Sequence, residues 1–290
     1  MTASAPQSTN EQSRRTHSSK KETGDLLDVV IVNYNTYDDT CKCVQHLLEQ
    51  GEVSPENIYV VDNCSPDGSG ELLMKTYSSG VNVILLQENR GFGAGVNVGS
   101  RAGRAANILI LNPDCYPEKA NIHLVLDHIN QNPDVGIVGA ELVNPDGSLQ
   151  YSARTFYSCL DVLVRRSFLK NVFPFSLLNR SHLMQAHPRN SAFDVDWVMG
   201  TGLFVRRKLF CQVGKMDEGY FLYMDDVDLC ARVHRAGFRV QLMPAVKFIH
   251  DHRRQSGQIW KWTRAHSLHF QSLKLFAKRH GLPVFRRLKL

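Results

Sequence analysis

The sequence predicts an α/β domain: a mostly parallel central sheet covered by helices on both faces. Three observations carry that prediction. Between Leu26 and Leu111, short apolar runs alternate with longer stretches of helical period. The runs are apolar almost throughout rather than at every second residue, which is the pattern of strands buried on both faces. Each run also stops at a polar cluster followed by a helical segment, as parallel strands joined through helices require.

Leu26–Val32 reads as the first strand and ends in Asn33-Tyr34-Asn35. Tyr37–Gln50 follows as a helix, with Val44, Leu47 and Leu48 on one face and Gly51 beyond its end. Ile58–Val61 is the second strand, ending at Asp62-Asn63, and Gly70–Tyr77 is a short helix. Val81–Leu86 is the third strand and runs into Gln87-Glu88-Asn89. Gly91–Arg104 is a glycine-bearing helix, and Ile108–Leu111 is the fourth strand, ahead of Asn112-Pro113-Asp114. In open sheets of this kind ligands sit beyond the carboxyl ends of the strands. Asn33, Asp62, Asn89 and Asp114 are therefore expected along one edge, and that edge is the predicted site.

The second half is less regular. Val135–Val138 and the Asp146-Gly147 turn predict a strand and hairpin, and residues 155–192 read as a long excursion over the site. Val195–Val205 predicts a strand pair interrupted by Gly200-Thr201-Gly202. Asp226–Ala236 predicts a helix with acids in its first turn and Gly237 behind it. Phe238–Met243 predicts a strand halted by Pro244, with a further apolar strand at Val246–Ile249.

Composition excludes several classes. Of the 290 residues 43% are hydrophobic, enough for one large α/β domain or two small ones. Residues 1–25 contain no Leu, Ile, Val or aromatic residue and are expected as a disordered tail. No apolar stretch approaches the roughly 18–20 residues that cross a bilayer, and the first residues lack the apolar core of a signal peptide. A cytoplasmic chain is expected. The seven cysteines, at 41, 43, 64, 115, 159, 211 and 230, show no paired C-x-x-C spacing and read as small buried thiols of a reducing cytosol. The formal charge is +6, but residues after His252 hold ten Lys or Arg and no acid, leaving −4 on the rest.

Four motifs carry chemistry, each with a plainer reading beside it. Asn112-Pro113-Asp114 suits a carboxylate holding a hard divalent cation against a diphosphate, and equally a simple turn. Asp225-Asp226-Val227-Asp228 suits a general base whose proton affinity is raised by a neighbouring acid, and equally acids complementing a helix dipole. His250, after an apolar strand and before Asp251-His252-Arg253-Arg254, suits a metal or phosphate contact, or a basic surface loop. Glu88–Gly95 is glycine-rich at a strand-to-helix turn, but lacks the spacing of a dinucleotide fold and the G-K-[ST] of a P-loop. An NAD site and an ATPase are thereby excluded.

Taken in order, V-I-V-N-Y-N (30–35), V-V-D-N-C-S-P-D-G-S (60–69), E-N-R-G-F-G-A-G-V-N (88–97), N-P-D (112–114), D-E-G-Y-F-L-Y-M-D-D-V-D-L-C-A-R (217–232) and I-H-D-H-R-R-Q-S (249–256) resemble the family 2 inverting glycosyltransferases of GT-A fold. Within them the chain is most similar to the bacterial rhamnosyltransferase-like branch, over roughly residues 26–275. The resemblance implies a GT-A domain over 26–252, with a nucleotide-binding half at 26–115 and an acceptor-binding and catalytic half at 116–252. A basic amphipathic segment at 253–290 follows it.

By position the resemblance makes Asp62 the acid that recognises the nucleotide base, with Asn33 beside it. Asn89, Arg90 and Gly91 match the loop bordering the nucleoside, with Asn97 behind them. Asp114 matches the last acid of the D-x-D metal motif, whose first acid is here Asn112, and His250 matches a late metal- or diphosphate-contacting histidine. Mg²⁺ or Mn²⁺ is the implied cofactor. Asp226 matches the catalytic base, preceded by Asp225 where the family has Glu. Trp197, Gly200 and Thr201 fall in the segment that shapes the acceptor pocket.

The implied reaction has Asp226 deprotonating an acceptor hydroxyl as it displaces the nucleoside diphosphate, with inversion. By branch resemblance the donor is dTDP-rhamnose and the acceptor a saccharide or lipid-linked saccharide of bacterial surface polysaccharide. Ile259–Lys278 interleaves aromatic and basic residues; it suits the cytoplasmic surface of the inner membrane, or a packed C-terminal helix with a solvated basic face. No nucleic-acid module accompanies it. Two other readings compete: a sugar-nucleotide pyrophosphorylase, for which Asn33-Tyr34-Asn35 supplies no phosphate loop, and an inactive membrane-surface protein that keeps the fold.

Overall fold

The structure is a computed structural model that describes residues 26–118, 122–156, 175–251 and 264–281. The predicted tail, residues 157–174 of the excursion predicted over 155–192, and residues 252–263 and 282–290 of the basic C-terminal segment lie outside the described residues. In chain order, β1 (Leu27–Asn33) leads to α1 (Tyr37–Gln50), β2 (Ile58–Asp62), α2 (Ser69–Thr76), β3 (Asn82–Leu85), α3 (Phe92–Ala102) and β4 (Asn107–Leu111). This half follows the sequence expectation to within a few residues at each boundary. Beyond it come β5 (Cys115–Pro117), α4 (Ile122–Gln131), β6 (Val135–Val143), β7 (Leu149–Gln150), β8 (Ala153–Arg154) and α5 (Phe175–His182). The chain continues with β9 (Phe193–Asp194), β10 (Trp197–Val198), β11 (Leu203–Arg206), α6 (Arg207–Gln212), α7 (Asp225–Arg235), β12 (Arg239–His250) and α8 (Arg264–His280).

The main sheet runs β3-β2-β1-β4-β11-β6-β12-β5, parallel through its first four strands. β11 enters antiparallel between β4 and β6, and β12 returns parallel to β6. Chain order reverses between β1 and β4, so their carboxyl ends flank the crevice where such sheets take ligands. Alternation along the strands serves two cores. Val30, Val32, Ile108 and Ile110 join the cluster containing α7, whereas Val29, Ile31, Leu109 and Leu111 join the one containing α1 and α4. Helices thus cover both faces.

α3 lies unusually close to β1. A Cβ at Gly99 would stand 2.5 Å from Val30 Cγ1, and one at Gly95 2.7 Å from Val32 Cγ1, so only glycine permits this approach. Pro244 does not halt its strand. β12 continues to His250 through a register irregularity between Met243 and Lys247, which is where a residue without an N–H is tolerated in a sheet. The pair predicted over 195–205 is divided between sheets: β10 joins β8 in a two-stranded sheet, and β11 joins the main one. The expectation of buried thiols is corrected at Cys64 and Cys211, which are exposed. Among the described residues no helix is long and apolar enough to cross a membrane.

Candidate active site

The end of β1 is wired to the end of β2. Asn33, fully buried, donates from Nδ2 to Asp62 Oδ1 at 2.6 Å and to Ser69 Oγ at 3.0 Å. Its Oδ1 accepts from the hydroxyls of Thr36 and Thr40. Asp62, 3% exposed, also accepts the Ser65 hydroxyl at 2.6 Å and the Ser65 N–H at 2.9 Å. The sequence reading missed Ser65.

The glycine-rich turn after β3 is fastened twice. Asn63 Nδ2 donates to Asn89 Oδ1 at 2.9 Å and to the Gly91 carbonyl at 3.1 Å, tying it to β2. On its other side Gly91 (φ +91°) lies against the segment that precedes α7, and a Cβ there would stand 2.3 Å from the Phe221 carbonyl oxygen. Asn97, buried on α3, exchanges hydrogen bonds with the Met216 backbone and donates to Glu218 Oε1 at 3.0 Å. Arg90 pairs with Glu218 Oε2 at 2.5 Å. Glu218 therefore joins two predicted site residues. It was legible as part of a motif, but not as their partner.

Asp114 and His250 meet because β5 pairs antiparallel with the end of β12, setting His250 opposite Cys115. The Asp251 N–H donates to the Asp114 carbonyl at 2.9 Å, and His250 Nε2 lies 3.5 Å from Asp114 Oδ1. Asn112 is held through its backbone, its N–H donating to Thr201 Oγ1 at 3.2 Å. Among the described residues no group of three His, Cys, Asp or Glu gathers. One carboxylate oxygen and one imidazole nitrogen do fit a hard cation that takes its other ligands from phosphate and water.

Asp225 and Asp226 open α7. The two residues before them, Tyr223 and Met224, both hold positive φ (68° and 66°), a costly conformation for side chains of this size. Asp226 Oδ2 accepts the Gly200 N–H at 2.9 Å and Oδ1 accepts the Val227 N–H at 2.8 Å, which fixes the carboxylate plane. Burial raises the proton affinity of Asp226, while these two N–H groups and the Arg154 guanidinium hold it down. Asp225 is more deeply placed, and burial followed by repulsion from Asp226 pushes its pKa up to about 7.

Of the residues matched to the acceptor segment, Gly200 reaches Asp226 through its N–H. Trp197 and Thr201 are buried, the indole N–H of Trp197 donating to the Thr155 carbonyl at 2.9 Å. Helix α8 clamps the segment before α7 from behind. Ser272 donates to the Leu222 carbonyl at 2.8 Å, Arg279 pairs with Asp217, and His280 Nε2 meets Asp228 Oδ1 at 2.6 Å.

The fold is shared with solved glycosyltransferases. GalNAc-T7, crystallised with UDP, GalNAc and Mn²⁺, superposes with a TM-score of 0.61 at 13% identity, covering 91% of this chain and 52% of that one. The chain thus spans about half of that structure. TarS 1–349 of S. aureus, in complex with UDP-GlcNAc, superposes at 0.56 with 14% identity, covering 87% and 66%. The sheet and its switch point are those of the GT-A fold.

The chain belongs to Glycosyl transferase family 2, whose family model matches residues 28–207. Among characterised relatives, an N-acetylglucosaminyl-diphospho-decaprenol L-rhamnosyltransferase of Mycobacterium tuberculosis is 31% identical over 247 residues, 81% of this chain and 78% of the relative. Rhamnosyltransferase WbbL of Escherichia coli K12 is 29% identical over 163 residues, 53% of this chain and 57% of the relative.

Proposed function

We propose that this glycosyltransferase transfers L-rhamnose, with inversion, from dTDP-rhamnose to a lipid-linked saccharide. The observation that carries the chemistry is the Asp226 carboxylate, oriented by the Gly200 and Val227 N–H groups at the head of α7. Asp226 accepts the proton of the acceptor hydroxyl as that oxygen attacks the anomeric carbon. Burial makes it a stronger base than an exposed aspartate, and Arg154 keeps it ionised. Asp225, with its pKa near 7, shares the site without a second full charge.

Asp114 and His250 would hold a divalent cation, Mg²⁺ or Mn²⁺, which would supply positive charge against the leaving diphosphate. Asp62, Asn33 and the Asn89–Gly91 turn border the nucleoside. The sugar and the lipid carrier rest on likeness to the mycobacterial and WbbL relatives named above. α8 suits a lipid-borne acceptor. Leu273 and Phe276 pack into the core, while Phe270, Lys274 and Lys278 face outward, an arrangement that fits the anionic cytoplasmic face of the inner membrane.

Melting temperatures with dTDP, UDP, GDP and their sugars, each with Mn²⁺ or EDTA, test the donor. A metal-dependent rise with dTDP and dTDP-rhamnose is expected; a rise with UDP or GDP sugars alone overturns the rhamnosyl reading. Asp226→Asn is expected to abolish transfer while leaving the dTDP-rhamnose shift intact. An equal loss of donor binding removes Asp226 from the role of base.

A further inference from the structure

We infer that Gln150 is a positioning residue that fixes the tautomer of His250 and presents its Nε2 lone pair to the cation. The inference rests on the reading of Asp114 and His250 as the cation's protein ligands.

Gln150 grips one residue twice. Its Nε2 donates to the His250 carbonyl at 2.8 Å, and its Oε1 lies 2.8 Å from His250 Nδ1. A carbonyl cannot donate, so the amide nitrogen must be the atom facing the His250 oxygen, and the orientation of the amide is settled. Oε1 is then the atom that faces the ring, and as an acceptor it requires a hydrogen on Nδ1. In the neutral ring Nε2 consequently carries the lone pair. That nitrogen faces Asp114 Oδ1 at 3.5 Å, two electron-rich atoms that repel unless positive charge sits with them. The side chain of His250 is only 3% exposed, so water screens this pair poorly.

The hairpin between β6 and β7 is built to hold Gln150 there. Asn144 and Ser148 close the turn backbone to backbone at 2.8 Å, and Asp146 Oδ1 accepts both the N–H and the hydroxyl of Ser148. Asn144 Oδ1 takes a second hydrogen bond from the Gln150 amide, while its own Nδ2 donates to Ser148 Oγ at 2.7 Å. A distant turn is thereby coupled to a ligand 100 residues further along the chain. Hydrogen-bonded partners of this kind orient a ligating imidazole and raise its basicity, and their loss typically weakens metal binding about 10–100-fold.

The test is Mn²⁺ affinity by electron paramagnetic resonance on the full chain with saturating dTDP, alongside ¹⁵N NMR of the histidine ring nitrogens without metal. Gln150→Leu is expected to weaken Mn²⁺ about 10–100-fold and to release the His250 ring from the Nδ1–H form. The wild-type His250 ring is expected as the Nδ1–H form. Absence of Mn²⁺ binding, or binding that survives both Asp114→Asn and His250→Ala, overturns the cation-site reading itself. Binding that falls in those two variants but not in Gln150→Leu overturns the role of Gln150 alone. An Nε2–H ring in the wild type overturns it independently of any metal measurement.

Discussion

Replacing Asp225 by Asn isolates the charge on the deeper member of the acid pair. Asp225 is 5% exposed; its Oδ1 accepts the Asp226 N–H at 3.1 Å, and its Oδ2 has no hydrogen-bond partner among the described residues. Burial first, and Asp226 second, carry its pKa from 3.8 to about 7. A carboxyl whose folded pKa lies above its unfolded value contributes stability that is whole below the unfolded pKa. That stability is lost as the pH rises to the folded one. Between about pH 4.5 and about pH 7.5, the wild type therefore loses on the order of 3 kcal/mol at this position, at about 1.36 kcal/mol per unit. Asn stays neutral and keeps an oxygen for the Asp226 N–H, so the Asp225→Asn chain escapes that loss. Relief of Asp226 from its neighbour acts in the same direction. Urea unfolding at the two pH values is expected to show the variant gaining about 2–3 kcal/mol on wild type toward neutrality. A variant-minus-wild-type difference that is the same at both would refute the buried-acid reasoning.

Two further changes probe the surroundings of that pair. His280→Ala removes a 2.6 Å contact to Asp228 between side chains only 2% and 1% exposed, leaving Asp228 with Arg232 and Tyr220. The expected cost is about 2–3 kcal/mol in urea unfolding, and an unchanged midpoint would show that α8 does not hold α7. Arg154→Gln removes a cation that lowers the pKa of Asp226, so the acid limb of kcat/KM against pH is expected to move to higher pH. Arg154→Lys is expected to restore it; a limb that ignores both changes would exclude Arg154 from tuning the base.

The sheet was legible because burial on both faces writes itself as continuous apolar runs, and β1, β2 and β4 lie within a residue or two of their expected bounds. α4 and β5 escaped notice because the segment between Asp114 and Val135 was passed over in favour of the polar strand ends on either side. Pro244 misled for a physical reason: it breaks a regular strand, but β12 is irregular at that point and joins two apolar segments into one. Ser65, three positions from Asp62, was local and was passed over inside its motif; two other site partners escaped because the contact is long in sequence. Glu218 meets Arg90 across 128 positions, and Gln150 meets His250 across 100. No periodicity or local motif encodes such pairs; they exist only once the strands are in register.

The motif residues differ in exposure, and several of the buried ones serve to join elements. Asn33, Asn97 and Thr201 are buried: Asn33 ties the end of β1 to that of β2, Asn97 ties α3 to the Met216 backbone, and Thr201 holds the Asn112 N–H. Asp114 and Arg90 keep 28% and 53% of their side chains exposed. A segment with positive φ at two successive large residues would ordinarily drift to a cheaper conformation. Here α3 holds it from the front through Asn97 and Phe92, and α8 holds it from the back through Ser272 and Arg279. The orientation of Asp226 is therefore fixed by folding, before any substrate arrives. On the proposed reading of Asp226 as the base, a carboxylate held in this way acts on a proton without first having to reorganise.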